Sequence, residues 1–169
     1  MTMVRQAERI EVALPGRLSV ANIHRAMVRL RGDRDSHARW SDVDIVDVSE
    51  GGLGLITPGF MPRGTRIELH VHGLGETEGI TLLQVTAVVR QCRMTDGRPA
   101  YFVGCSLNAH TELEQQSQRA RVKELLRWIT AGEPITRATV ERLDWAAAAA
   151  THRHGDRTPA AAAGGAGNA

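Results

Sequence analysis

Arg66-Ile67-Glu68-Leu69-His70-Val71-His72 alternates polar and apolar side chains without a break. A two-residue period of this kind puts Ile67, Leu69 and Val71 on one face of a β-strand and the polar set on the other. The flanking segments carry the same signature. Downstream, residues 80–93 and 99–107 read as two long strands of a hairpin around Thr95-Asp96-Gly97-Arg98. A two-residue Asp96-Gly97 turn would set Cys92 opposite Tyr101 and Cys105 opposite Val88. Upstream, Ile10, Val12, Leu14, Leu18 and Val20 share one parity, with Pro15-Gly16 marking a bend or bulge. In residues 42–48, Val43 and Ile45 read inward and Asp42 and Asp44 outward. Residues 55–57 form a short strand before a Pro/Gly turn at 58–64. These short, regularly spaced strands predict a mainly β fold, an antiparallel sandwich or barrel.

The remaining segments join or cap the strands. Residues 26–30 are apolar enough to extend a strand, 31–36 read as a polar loop, and 73–79 as another. Gly51-Gly52-Leu53-Gly54 demands unusual backbone angles or close approach of another group. Thr111 with Glu114 is a capping-box signature. Val122, Leu125, Leu126 and Ile129 then recur at helical spacing until Gly132 and Pro134, so a helix is predicted over 111–131. Its apolar stripe is expected to pack on the barrel or one of its mouths. Residues 1–132 thus form the domain, 138–150 allow a second helix within 133–150, and the Ala/Gly-rich 151–169 read as a disordered tail.

A chain of 169 residues can bury one real core but hardly two. Its net charge of +2 excludes a generic nucleic-acid binder. The charge is unevenly spread: residues 1–41 hold eight Arg against four carboxylates (Glu8, Glu11, Asp33, Asp35), an excess of four, which leaves −2 for the rest. The anion-facing part is therefore expected at the N-terminal quarter. Residues 1–12 lack the apolar stretch of a signal peptide, and no segment has the apolar length to span a membrane, so a cytoplasmic protein with no membrane partner is expected. The two cysteines then read as free thiols.

Two short motifs carry the chemistry. Arg5-Gln6-Ala7-Glu8-Arg9 leads into the first alternating run; Asp47-Val48-Ser49-Glu50-Gly51-Gly52 ends the second. An Arg fork matches the two acceptors of the guanine O6/N7 edge, and phosphate oxygens accept the same fork. A carboxylate such as Asp47 accepts guanine's N1–H and N2–H donors, Ser49 adds a hydroxyl, and Gly51 and Gly52 let backbone approach a flat base. Singly, each motif is unremarkable: Arg5 and Arg9 are surface charges, Asp47 and Ser49 satisfy a turn, and the glycines mark a bulge. The arrangement in one chain suits a ligand with phosphates and guanine edges.

Arg5-x-x-x-Arg9 followed by Asp47-x-Ser49-x-x-Gly52, each beside a strand, resembles the PilZ domain family. Gly52-Leu53-Gly54-Leu55, the closing Tyr101-Phe102-Val103-Gly104-Cys105-Ser106-Leu107 and the helix after the last strand resemble it too, over residues 5–130. The resemblance implies a six-stranded antiparallel β-barrel that binds cyclic di-GMP, with no other cofactor, no metal and no catalysis. It implies that Arg5 and Arg9 clamp guanine and phosphate while Asp47, Ser49 and Gly52 hold the other guanine. It further implies an N-terminal Arg segment ordered by ligand, a downstream protein partner, and control of motility, exopolysaccharide or biofilm. Two other readings stay open: a ligand-free adaptor barrel, and a small RNA-binding barrel using the basic 17–39 region and Trp40. His70 and His72 read as surface histidines rather than metal ligands, and Trp128 and Trp145 as packing residues. No nucleophile–base series or phosphate-loop glycine pattern points to an enzyme.

Overall fold

A sheet with one apolar face must cover that face, and closing the sheet on itself does so while removing its edges. The computed structural model, which describes residues 8–28, 40–96, 100–132, 136, 138, 140 and 141, takes this solution. Its strands are β1 (Ile10–Val20), β2 (Ser41–Ser49), β3 (Gly52–Thr57), β4 (Arg66–His72), β5 (Thr81–Met94) and β6 (Tyr101–Leu107). They close a barrel in the order β1-β2-β3-β6-β5-β4, every pairing antiparallel. The inward side chains Leu18, Val43, Ile45, Val48, Leu53, Leu55, Leu69, Val71, Leu83, Val89 and Val103 are all buried and form one core. β4 keeps its predicted alternation throughout.

Helix α1 (Glu112–Ala131) follows β6. Thr111 Oγ1 accepts the Glu114 N–H at 3.1 Å, and the Glu114 carboxylate accepts the His110 N–H at 2.9 Å. Gly132 ends the helix in the left-handed region at φ 66°, where glycine alone carries no Cβ penalty. The helix touches both β5 and β2, which stand opposite each other in the barrel ring, so it lies across a barrel mouth. Val122, Leu125 and Trp128 plug that mouth, fully buried, with Leu126 and Ile129 partly so. Gln118 ties the helix to the wall by donating to Thr86 Oγ1 at 3.0 Å. Among the described residues no helix is long and apolar enough to cross a membrane.

Several local expectations are corrected. Of residues 26–30, expected to extend a strand, Ala26 and Met27 instead end a 3-10 helix over Asn22–Met27, closed by the Val28 N–H donating to the Arg25 carbonyl, and 29–30 lie outside the described residues. The irregularity of β1 lies between Glu11 and Leu14, not at Pro15-Gly16. Pro15 is tolerated in regular pairing because the β4 ladder begins only at Gly16, leaving no call on its missing N–H from that side. β3 starts at Gly52, earlier than expected. The β5–β6 hairpin is closed by the Thr95 N–H to the Ala100 carbonyl at 2.9 Å, so its loop is longer than Asp96-Gly97. The register moves accordingly: Cys92 faces Val103 and Cys105 faces Val89, and both thiols are free. Ala138, Val140 and Glu141 are helical and Thr136 is not; the rest of 133–150, the polar loop 31–36 and the tail 151–169 lie outside the described residues.

If α1 is a core element rather than an appendage, Trp128→Ala destabilises the barrel by about 3–5 kcal/mol in urea denaturation followed by circular dichroism. Loss of the cap in Thr111→Ala costs about 1 kcal/mol by the same measurement.

Candidate functional site

Strict alternation from Val43 and Ile45 would carry Asp47 into the core. A bulge prevents this. β2 and β3 pair Ile45 with Leu55 but Asp47 with Gly54, so Val46 is an extra residue on β2. On the other side Glu11 pairs with Asp47 and Leu14 with Ile45, so β1 is irregular at the same level. Beyond the bulge the parity is reversed: Val48 is the buried residue and Asp47 stands on the outer wall.

Arg9 meets it there from just ahead of β1. Its Nη1 donates to Asp47 Oδ1 at 3.0 Å and to Oδ2 at 3.2 Å. One nitrogen spans both oxygens, which is not the parallel two-nitrogen fork that makes Arg–carboxylate pairs strongest. The side chains are 32% and 14% exposed respectively. The first and second motifs are thus in contact across 38 residues of sequence.

The outer wall around this pair is floored by glycines. The Asp47 carboxylate lies flat over Gly54, where an added Cβ would come within 2.2 Å of Oδ2. Gly54 pairs in turn with Gly104 of β6. At Gly52 an added Cβ would fall 1.9 Å from the Cys105 carbonyl oxygen. Neither glycine has a positive φ, so of the two reasons expected for the Gly51–Gly54 cluster, close approach is the one observed. At Gly51 an added Cβ meets nothing within 4 Å, so the barrel itself does not require glycine there. Ser49 is buried, and its Oγ donates to the Gly52 carbonyl at 3.2 Å, closing its own turn. Arg5 lies outside the described residues. Gly54 and Gly104 were missed as site residues from sequence; a glycine at every second position of 52–54 in a strand was the available signal.

Other candidates lie elsewhere. A concavity of about 410 Å³ between Val20, Trp40, Arg66, Glu68 and His110 is on the β1–β4 side, with no motif residue in its lining. Trp40, a candidate base-stacking platform, packs its ring on His70 at 4.3 Å between centroids. His70 Nε2 lies 3.2 Å from Glu68 Oε1. Burial, and then the charges of His70 and Arg17, hold His72 below the ordinary histidine range. No group of three or more possible metal ligands gathers among the described residues. Beneath the motif pair, burial pushes the Cys105 thiol up to about 12, with smaller influences from Cys92, Arg9 and Asp47.

A closed six-stranded antiparallel barrel, capped at one mouth by a C-terminal helix and carrying a guanidinium–carboxylate pair on a glycine-floored outer wall, defines a small β-barrel domain with a polar surface site. The PilZ domain model matches residues 3–128, and the chain belongs to the PilZ domain family. Solved structures with a similar fold include K. pneumonia MrkH in complex with c-di-GMP (16% identity, TM-score 0.49, covering 78% of this chain and 54% of that one). They also include the Bacillus subtilis inhibitor of motility MotI/DgrA (14% identity, TM-score 0.47, covering 76% and 53%). A third is the PilZ domain of YcgR from Escherichia coli with c-di-GMP (13% identity, TM-score 0.45, covering 77% and 98%). The chain spans about half the length of MotI and MrkH. No curated protein sequence matches it closely.

Two outcomes test this geometry. Gly54→Ala must lift the Asp47 carboxylate off β3 and break its contact with Arg9, seen as loss of that contact in a crystal structure of the variant. For Cys105, the unfolded thiol ionises at 9.0 while the folded one keeps its proton to about 12. The folded state therefore holds the proton more tightly, its stability is intact below pH 9.0, and this contribution is lost as pH rises from 9.0 toward 12. Denaturant unfolding across that range should show a shallower decline for Cys105→Val than for the wild type.

Proposed function

We propose that the chain is a receptor for cyclic di-GMP that binds the ligand on the outer wall of the barrel. The observation that carries the reading is the contact between Arg9 and Asp47, which joins one residue of each motif at a single place. Membership in the PilZ domain family supports the same ligand. A guanine presents N1–H and N2–H donors that suit the Asp47 carboxylate. A guanine O6/N7 edge and the phosphodiester oxygens suit the guanidiniums of Arg9 and Arg5. Gly51, open on its outer side, and Gly52 leave the base room to approach. Ser49 retains acceptor lone pairs after donating to Gly52.

Without ligand, Arg9 occupies the carboxylate that the guanine would use. Binding exchanges that pair for contacts to the nucleotide and holds the Arg5–Arg9 segment down on the wall. The protein does no chemistry on its ligand; its output is a changed surface read by a protein partner, in control of motility, exopolysaccharide or biofilm. Calorimetric titration with cyclic di-GMP tests this. Wild type binds, and Arg9→Ala and Asp47→Ala each weaken binding about ten- to a hundredfold, the effect of losing a charge-assisted hydrogen-bond pair. Absence of wild-type binding, or unchanged affinity in both variants, refutes the reading.

A further inference from the structure

The wall beyond the glycines mirrors the Asp47 side. β5 and β6 pair Val89 with Cys105 but Gln91 with Gly104, so Arg90 is an extra residue on β5. Val89 is buried ahead of this bulge, and Cys92 packs against the core beyond it. Gln91 and Arg93, which strict alternation from Val89 would send inward, stand exposed on the outer wall with Arg90. Two bulges, at Val46 and Arg90, therefore turn polar side chains outward on the two strands that flank β3 and β6.

The polar groups approach each other over the same floor. One lateral row runs Asp47, Gly54, Gly104, Gln91 across β2, β3, β6 and β5. Asp47 lies over Gly54, and Gln91 lies over Gly104, where an added Cβ would come 2.8 Å from its Cγ and Nε2. The row spans three strand spacings, roughly 14 Å along the sheet. Arg90 is fixed beside Gln91 by its Nε–H donating to Ser106 Oγ at 2.7 Å. Arg93 is held over the Phe102 ring at 4.9 Å. Among the described residues neither Arg90 nor Arg93 forms an ion pair with a carboxylate. The row thus has the Arg9–Asp47 pair at one end and, at the other, a carboxamide with two positioned guanidiniums that meet no carboxylate among the described residues.

We infer that Arg90, Gln91 and Arg93 form the second wall of the ligand site and bind the half of a cyclic dinucleotide that Asp47 does not reach. This rests on the cyclic di-GMP reading above. A cyclic dinucleotide carries two purines and two phosphodiesters, more polar edges and charged oxygens than the two motifs can meet from one side. Arg90 directs its remaining donors to a phosphodiester oxygen. The Gln91 amide, donor and acceptor at once, reads the edge of the second purine. Arg93, steadied by Phe102, offers a flat cationic face on which that purine stacks.

The test is calorimetric titration of the full chain with cyclic di-GMP, comparing Arg90→Ala, Gln91→Ala and Arg93→Ala with Asp47→Ala and Arg66→Ala. Arg66 is an exposed residue of β4, which stands opposite β3 in the ring, and its removal changes net charge as much as removal of Arg90. Arg90→Ala and Arg93→Ala each weaken binding about tenfold, Gln91→Ala by less, and Arg66→Ala leaves it within about twofold of wild type. If Asp47→Ala weakens binding while Arg90→Ala and Arg93→Ala do not, the second wall is wrong and the receptor reading survives. If Arg66→Ala weakens binding as much as Arg90→Ala, the effect is diffuse charge and the second wall is overturned. If wild type does not bind, both fall together.

Discussion

The site depends on a single inserted residue, Val46. An antiparallel strand of a small barrel has no choice about alternation: every second side chain enters the core. With Val43 and Ile45 inside, the next inward place belongs to Asp47. A carboxylate there would enter a core of Leu, Ile and Val with no cation to meet it, at a cost of several kcal/mol. The bulge at Val46 advances the parity by one, returns Val48 to the core and delivers Asp47 to the surface. The irregularity of β1 at the same level brings the chain ahead of Ile10 into register, so that Arg9 falls on the Asp47 carboxylate. Barrel closure and site formation are in conflict at this level of β2, and the bulge reconciles them.

The glycines follow from where that carboxylate must lie. A side chain at Gly54 would occupy the space of the Asp47 carboxylate and hold it away from the wall; a side chain at Gly52 would strike the Cys105 carbonyl across the ladder. Their requirement is room on a strand face, not a special backbone angle. The same turn also communicates with the rest of the fold. The Gly51 carbonyl accepts the Leu107 N–H at 3.0 Å, fixing the turn to the end of β6 shortly before α1 begins. Glu50 lies 3.6 Å from Lys123 of α1. That ion pair is exposed and contributes little energy, but it places the helix face beside the motif.

Much of the fold was legible in sequence because its determinants are local. The period of residues 66–72, the apolar stripe of 122–129, the Thr111 cap and the Gly132 stop each act within a few residues, and each appears where expected. What was not legible depends on partners far along the chain. The hairpin register is set by which residues close the loop, Thr95 with Ala100, and Asp96-Gly97 offered a tighter alternative of equal local quality. The apolar Ala26 and Met27 suit either a strand or a helix; the Ala21 N–H bonds to the Arg66 carbonyl of β4, after which the chain leaves the sheet for the 3-10 helix. For the site, Arg9 and Asp47 were legible as motif members. The bulges that aim Asp47 and Gln91 outward were not, because a bulge shows in sequence only as a broken alternation that resembles the end of a strand.

The contact between the motifs also bears on how the proposed switch could work. Arg9 reaches Asp47 through one nitrogen, with a third of its side chain exposed, so the pair belongs to the weak, solvent-screened class worth about 0–1 kcal/mol. A pair of that strength is a resting position, not a lock. It keeps the Arg9 guanidinium within a few ångströms of the place proposed for the ligand, which on that proposal lowers the entropy lost on binding. It also neutralises Asp47, so the wall does not repel phosphates by an uncompensated carboxylate. A much stronger fork-to-fork pair would compete with the nucleotide for both partners and subtract its full strength from binding. A single shared nitrogen on a partly exposed surface is thus compatible with the proposed exchange, because so weak a pair subtracts little from binding.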